Sequence, residues 1–165
     1  MNKIKQRGFT LIELVIVIVL IGILAATALP RFANLAGQAR TASARGVEGE
    51  LGSVVNIAHA QWLALGNPAT ITLENNVVQM TATGWPEGGD TAGTDSVMTS
   101  SKCVETWNAI LNNPPVVGNP CAGACEYLAT GANATCTFDD QQGLTGGNRL
   151  TYTVTTGAIV RSVTP

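Results

Sequence analysis

Residues 9–29 read FTLIELVIVIVLIGILAATAL, and this stretch decides what kind of molecule the chain is. As a helix it rises ~30 Å, about one bilayer core. Glu13 is its only charge, and Lys3, Lys5 and Arg7 stand just before it. Cations on that side orient an apolar segment with its start in the cytoplasm and its continuation exported. The four cysteines, Cys103, Cys121, Cys125 and Cys136, all lie beyond residue 100 and suit an oxidising compartment such as a periplasm.

Three readings of the segment compete. It can be a secretory signal peptide cut after Ala28, where Ala26-Thr27-Ala28 supplies small residues, leaving a secreted periplasmic binding protein. It can be a permanent single-pass anchor. In both, Glu13 is an unexplained cost of a few kcal/mol. The third reading uses the carboxylate. A basic leader, residues 1–8, is removed, and Phe9 becomes the new N-terminus with Glu13 one helical turn on and on the same face. An amine and a carboxylate in hydrocarbon offset part of each other's desolvation. If the amine belongs to a neighbouring subunit, the pair fixes the stagger between helices.

The stretch KQRGFTLIELVIVI, residues 5–18, closely resembles the N-terminus of type IV prepilins and of type II secretion pseudopilins. The resemblance implies cleavage by a prepilin peptidase after Gly8, methylation of Phe9, and a register role for Glu13. Gly22 and Pro30 match positions bounding a stretch of helix that loosens when such subunits pack, and a proline inside a helix makes a kink or opening near residues 26–30 reasonable. It further implies an α+β fold, the type IV pilin fold. A long N-terminal α-helix has an apolar, protruding first half and a second half packed on an antiparallel β-sheet head. The partners implied are other copies in a helical filament, the peptidase and the inner-membrane assembly machinery. The precursor would sit in the inner membrane and the product in an extracellular pilus.

Beyond Pro30 an apolar stripe continues through Val47, Leu51, Val54, Val55, Ala58, Trp62 and Leu65 at helical spacing. Gly66-Asn67-Pro68 is a stop signal. The expected division is therefore a leader over 1–8, an apolar assembly helix over 9–30, its amphipathic half over 31–66, and a head over 67–165. In the head, residues 70–73 and 77–80 read as a strand pair, 84–101 as an exposed loop and 103–111 as a short helix. Further strands are expected over 125–129, 135–139, 149–155 and 158–163. The cysteines allow three pairings. A hairpin centred on Thr130-Gly131 sets Cys125 opposite Cys136 and leaves Cys103 for Cys121.

PRFANL at 30–35, followed by Gln38, Ala39 and Arg40, is similar to the pilins of mannose-sensitive haemagglutinin (MSHA) pili, as are KCVETW at 102–107 and NNPP at 112–115. That likeness implies attachment to surfaces, with a surface or glycan receptor as partner.

The 165 residues fit one domain plus an appended element, and charged residues are only 12% of them, about half the roughly 25% of typical soluble domains. Without the first eight residues, six basic side chains face eleven acidic ones, so a nucleic acid is not an expected partner. No catalytic constellation stands out, and no cofactor is expected. Glu87, Asp90 and Asp95 could ligate calcium but fit no loop signature, and a solvated acidic loop is the plainer reading. Asp139-Asp140 reads equally as a plain turn. Asn133-Ala134-Thr135 matches a glycosylation pattern common by chance. Trp62 and Trp107 read as core and Trp85 as the better contact candidate, while His59 has no evident role.

Overall fold

The structure is a computed structural model that describes residues 9–74, 76–88, 97–121, 125–141 and 147–163. The leader with Gly8, and the loop carboxylates Asp90 and Asp95, lie outside the described residues. The chain divides into two compact units, Met1–Arg40 and Thr41–Pro165, and helix α1 (Leu11–Ala64) runs through both.

A long apolar helix followed by antiparallel sheet is the expected α+β architecture. Pro30 sits inside α1, which is helical through residues 26–30. At its end the Gly66 N–H reaches the Leu63 carbonyl at 3.3 Å and the Asn67 N–H the Trp62 carbonyl at 3.0 Å. Gly66 and Asn67 both have positive φ, so the chain leaves the helix through a left-handed cap that satisfies its last carbonyls.

In the second unit α1 buries Ala44, Val47, Leu51, Val55, Ala58 and Trp62, the spacing of one helical face. Leu65, just before this cap, is exposed. A three-stranded antiparallel sheet follows, β1 (Thr70–Leu73), β2 (Asn76–Met80) and β3 (Pro86–Gly88), in that order. Then come α2 (Ser100–Ile110) and a five-stranded sheet ordered β4 (Val117–Gly118), β5 (Tyr127–Ala132), β6 (Thr135–Asp140), β7 (Asn148–Thr153) and β8 (Ala158–Val163). Among the described residues, only the β4–β5 pairing is parallel. The Tyr152 hydroxyl on β7 donates to the Pro86 carbonyl on β3 at 2.8 Å and ties the two sheets together. One core contains the α1 face, Trp107 and Cys103 of α2, and Tyr127, Phe138, Leu150 and Tyr152 of the larger sheet.

Two expectations fail here. Residues 86–88, read as part of an exposed loop, form β3 and are buried throughout. The disulfides join Cys103 to Cys136 and Cys121 to Cys125, not Cys125 to Cys136 and Cys103 to Cys121. The error lies in the turn. The β5–β6 hairpin turns at Asn133-Ala134, with Asn133 at φ 51°, so Gly131 stands opposite Cys136 and Cys125 falls before the strand. Gly131 is not a turn residue. A Cβ on it would lie 2.3 Å from the Thr99 backbone, which passes over the strand as it enters α2. That close approach carries Cys103, one turn into α2, onto β6. Both sulfurs are fully buried, and their Cα atoms are 5.5 Å apart, within the range a disulfide spans.

Candidate assembly surface

The first unit presents apolar side chains in every direction. Leu11, Ile12, Leu14, Ile16, Ile18, Leu20, Ile21, Ile23 and Leu24 are all exposed, from 51% to 80%. Among the described residues, α1 is the one helix long and apolar enough to cross a membrane. A helix apolar all round has no single face to pack on its own chain, so lipid or other helices must cover it.

Glu13 has a second use at its start. Its carboxylate accepts from the Thr10 N–H at 2.9 Å and from the Thr10 hydroxyl at 2.7 Å, and the Thr10 hydroxyl accepts from the Glu13 N–H at 3.3 Å. This is a capping box, a threonine and a glutamate three residues apart satisfying orphan backbone donors reciprocally. The spacing is legible in the sequence. Reading Glu13 against Phe9 alone passed over it. Phe9 is exposed beside the cap, and a Cβ on Gly22 would meet nothing within 4 Å.

The second unit closes around an aromatic corner. His59, given no role from sequence, stacks on Trp85 with ring centroids 4.0 Å apart and lies 5.7 Å from Trp62. Its Nδ1 is 2.7 Å from the Gly84 carbonyl. Trp62 covers Gly84, and Trp85 covers Gly157, so closely that a Cβ on either glycine would lie 2.2 Å from the ring. Trp85 is therefore held between His59 and Gly157 and is not the open contact platform expected of it. Trp62 and Trp107 are core residues as read.

Glu87 is 1% exposed, so the reading of a solvated acidic loop fails at that residue. Burial first, and then Glu87, push the Tyr152 hydroxyl pKa upward. Asp139, read both as the end of a strand over 135–139 and as part of a plain turn, lies in β6 and accepts from the Arg149 Nε at 2.5 Å. Asn133 is exposed at the hairpin turn, as a modification acceptor must be, but nothing else singles it out. Among the described residues no group of three or more His, Cys, Asp or Glu side chains is placed to hold a metal ion. An open groove of about 420 Å³ between α1, β1 and the end of α2 is lined by Val54, Ile57, Leu73 and Ile110, with Gln61 and Glu74 among its polar groups. It brings together no nucleophile with a base.

The comparisons with known proteins agree with this arrangement. Residues 3–29 match the family described as the prokaryotic N-terminal methylation motif. The chain is 43% identical over 97 residues to the type IV narrow pilus major component PilA5 of Thermus thermophilus, across 59% of this chain and 72% of that protein. It is 36% identical over 75 residues to a fimbrial protein of Neisseria meningitidis serogroup B, across 44% of each. It is 31% identical over 99 residues to the type IV major fimbrial protein FimA of Dichelobacter nodosus, across 57% of this chain and 55% of that one. The alignments with these last two span about half of those proteins. No solved structure matches. The chain belongs to the type IV pilin family.

Proposed function

We propose that this protein is a structural subunit of an MSHA-like type IV pilus that supports adhesion to surfaces. The observation that carries this reading is the apolar surface of α1 over residues 11–24, exposed on all sides and carrying one carboxylate, Glu13. Copies of the helix would cover one another in a filament, and the membrane would cover each copy before assembly. Two of the relatives are called major components, which favours a subunit that repeats along the filament.

In this reading a prepilin peptidase cuts between Gly8 and Phe9, and the Phe9 amine is methylated. The capping box is then the resting arrangement of Glu13, and in the filament its carboxylate turns to the Phe9 amine of a neighbouring copy. The helix between Gly22 and Pro30 loosens on packing, because Pro30 leaves the Ala26 carbonyl without its i+4 donor. The segments follow the expected division at residues 8, 30 and 66. The chain is structural, not catalytic, resides first in the inner membrane with the assembly machinery, and ends outside the cell, where its head meets a surface or glycan receptor.

Intact mass and N-terminal sequence of the protein from cell envelopes test the processing. The expected product begins at methylated Phe9 and lacks four hydrogens for its two disulfides. A product beginning at Leu29 would remove Glu13 and sink the assembly reading. Electron microscopy of sheared filaments, and binding of piliated and pilus-free cells to surfaces with and without mannose, test the rest.

A further inference from the structure

The groove of about 420 Å³ between α1, β1 and the end of α2 lies wholly within the second unit. Its floor is apolar. Ile110 and Leu111 are buried, Val54 and Leu73 are partly buried, and Ile57 remains 59% exposed. Its rim is polar, with Gln61 on α1, Glu74 at the β1–β2 turn, Asn76 opening β2 and Asn112 just beyond α2. An apolar floor with a few convergent polar groups is the usual make-up of a small-molecule site, and the volume falls within their range of roughly 300–1,000 Å³.

Three hydrogen bonds hold the walls in place. The Gln61 Nε2 donates to the Thr72 carbonyl at 3.1 Å, the Asn76 Nδ2 to the Ala109 carbonyl at 3.2 Å, and the Asn112 N–H to the Glu50 carboxylate at 3.1 Å. These bonds join α1 to β1, β2 to α2, and the end of α2 back to α1, so the groove is formed before any ligand arrives. Both rim amides, Gln61 and Asn76, are thereby anchored through nitrogen. Among the described residues, the Gln61 Oε1, the Asn76 Oδ1 and the Glu74 carboxylate accept no hydrogen bond. No Lys, Arg or His among the described residues lines the groove.

We infer that this groove binds an uncharged sugar, with the ring seated on Ile57 and Leu73 and its hydroxyls donating to Gln61, Asn76 and Glu74. An anion would meet the Glu74 carboxylate with no cation to offset it. A purely apolar occupant would cover the amide oxygens and leave them unpaired. A sugar satisfies both parts of the groove, because its hydroxyls supply the donors that the rim lacks and its C–H face packs on aliphatic side chains. The inference deepens the adhesion reading and rests on it for the source of the sugar, a glycan displayed on a surface.

The test uses the full-length chain in a zwitterionic detergent. The probes are the methyl glycosides of glucose, mannose, galactose and N-acetylglucosamine, with methyl glucuronide as the charged counterpart. Saturation-transfer NMR reads contact between the protein and the ring protons. At least one neutral glycoside is expected to bind saturably at millimolar concentration, and the glucuronide about tenfold more weakly than the best of them. Its affinity should fall about tenfold with Gln61→Leu and with Ile57→Glu. Leu63→Glu, an exposed site on the same helix that does not line the groove, should leave it unchanged. No binding by any neutral glycoside, equal binding of the glucuronide, unchanged affinity in either folded groove variant, or an equal fall with Leu63→Glu overturns the inference. Circular dichroism checks that each head is folded, and if Ile57→Glu is not, Gln61→Leu decides alone. Loss of filaments with Ile57→Glu in a chain that binds no sugar would assign the groove to another copy instead. Piliated cells that bind surfaces no better than pilus-free cells would sink the adhesion reading, a separate outcome, since the groove is read on the isolated chain.

Discussion

The two stretches of α1 with the most apolar side chains meet opposite fates. Over residues 11–24 the apolar residues lie on all sides and are exposed, whereas from Ala44 to Trp62 they recur on one side and are buried. Helix formation is common to both. What differs is whether the apolar residues share a direction. A stripe can be covered by one sheet of the same chain, but a cylinder can be covered only by a surrounding medium or by several other helices. Pattern, more than apolar content, therefore separates the part of the helix that builds the fold from the part that builds the assembly.

That comparison breaks most visibly at Glu13. Glu13→Leu should abolish filaments in electron micrographs while shifting the unfolding of the detergent-solubilised chain by no more than about 0.5 kcal/mol, since the carboxylate contributes to the start of the helix and not to the head core. A matching loss of head stability would mean that the two regions are not separable in this way.

Alkali should act on the opposite region. The Tyr127 and Tyr152 hydroxyls are both held above the ordinary 10, chiefly by burial, so the unfolded chain gives up these protons more readily than the folded one. Their stabilisation is complete below about pH 10 and declines as pH rises through 10 towards 12. Near-UV circular dichroism against pH should show the head unfolding across that window, with Tyr127→Phe losing part of the pH dependence. A head equally stable at both ends of the window would contradict the burial argument.

Within the head the two disulfides should differ. Cys103 and Cys136 are separated by 33 positions and Cys121 and Cys125 by 4. By loop entropy alone, replacing the first pair with alanine should cost about 3.8 kcal/mol and the second about 2 kcal/mol. Burial reinforces the order, and graded reduction with mass mapping should open Cys121–Cys125 first. The smallest effect is expected from Gly46→Ala, where a Cβ would meet nothing within 4 Å and the helix should gain about 1 kcal/mol. Gly131→Ala, by contrast, drives a Cβ into the Thr99 backbone and should destabilise, and thermal melts of the two variants decide the sign.

The helix, its end and its buried stripe were legible in the sequence because each depends on neighbours within a few positions. Pro30 was legible as a residue inside a helix that continues past it, as α1 does. Glu13 was visible as a charge needing a partner, and the nearer partner, Thr10, was overlooked. The disulfide pairing was illegible for a different reason. Gly131 carries the signature of a turn, yet it is glycine because another segment crosses it, a fact that only tertiary structure supplies. β3 escaped because three residues among glycines and a proline carry no alternation. His59 and Trp85, distant in sequence, gave no sign of their stacking.

The corner where Trp62 lies on Gly84 and Trp85 on Gly157 has a consequence for how such a chain can drift. Each tryptophan leaves room for nothing larger than hydrogen beneath it, and His59 bridges the two, so a change at any of the five positions is tolerated only if a second follows. Neutral single steps are closed there and open on the solvent-facing strands nearby. Over generations the outer coat of the head can be rewritten while this corner stays as it is.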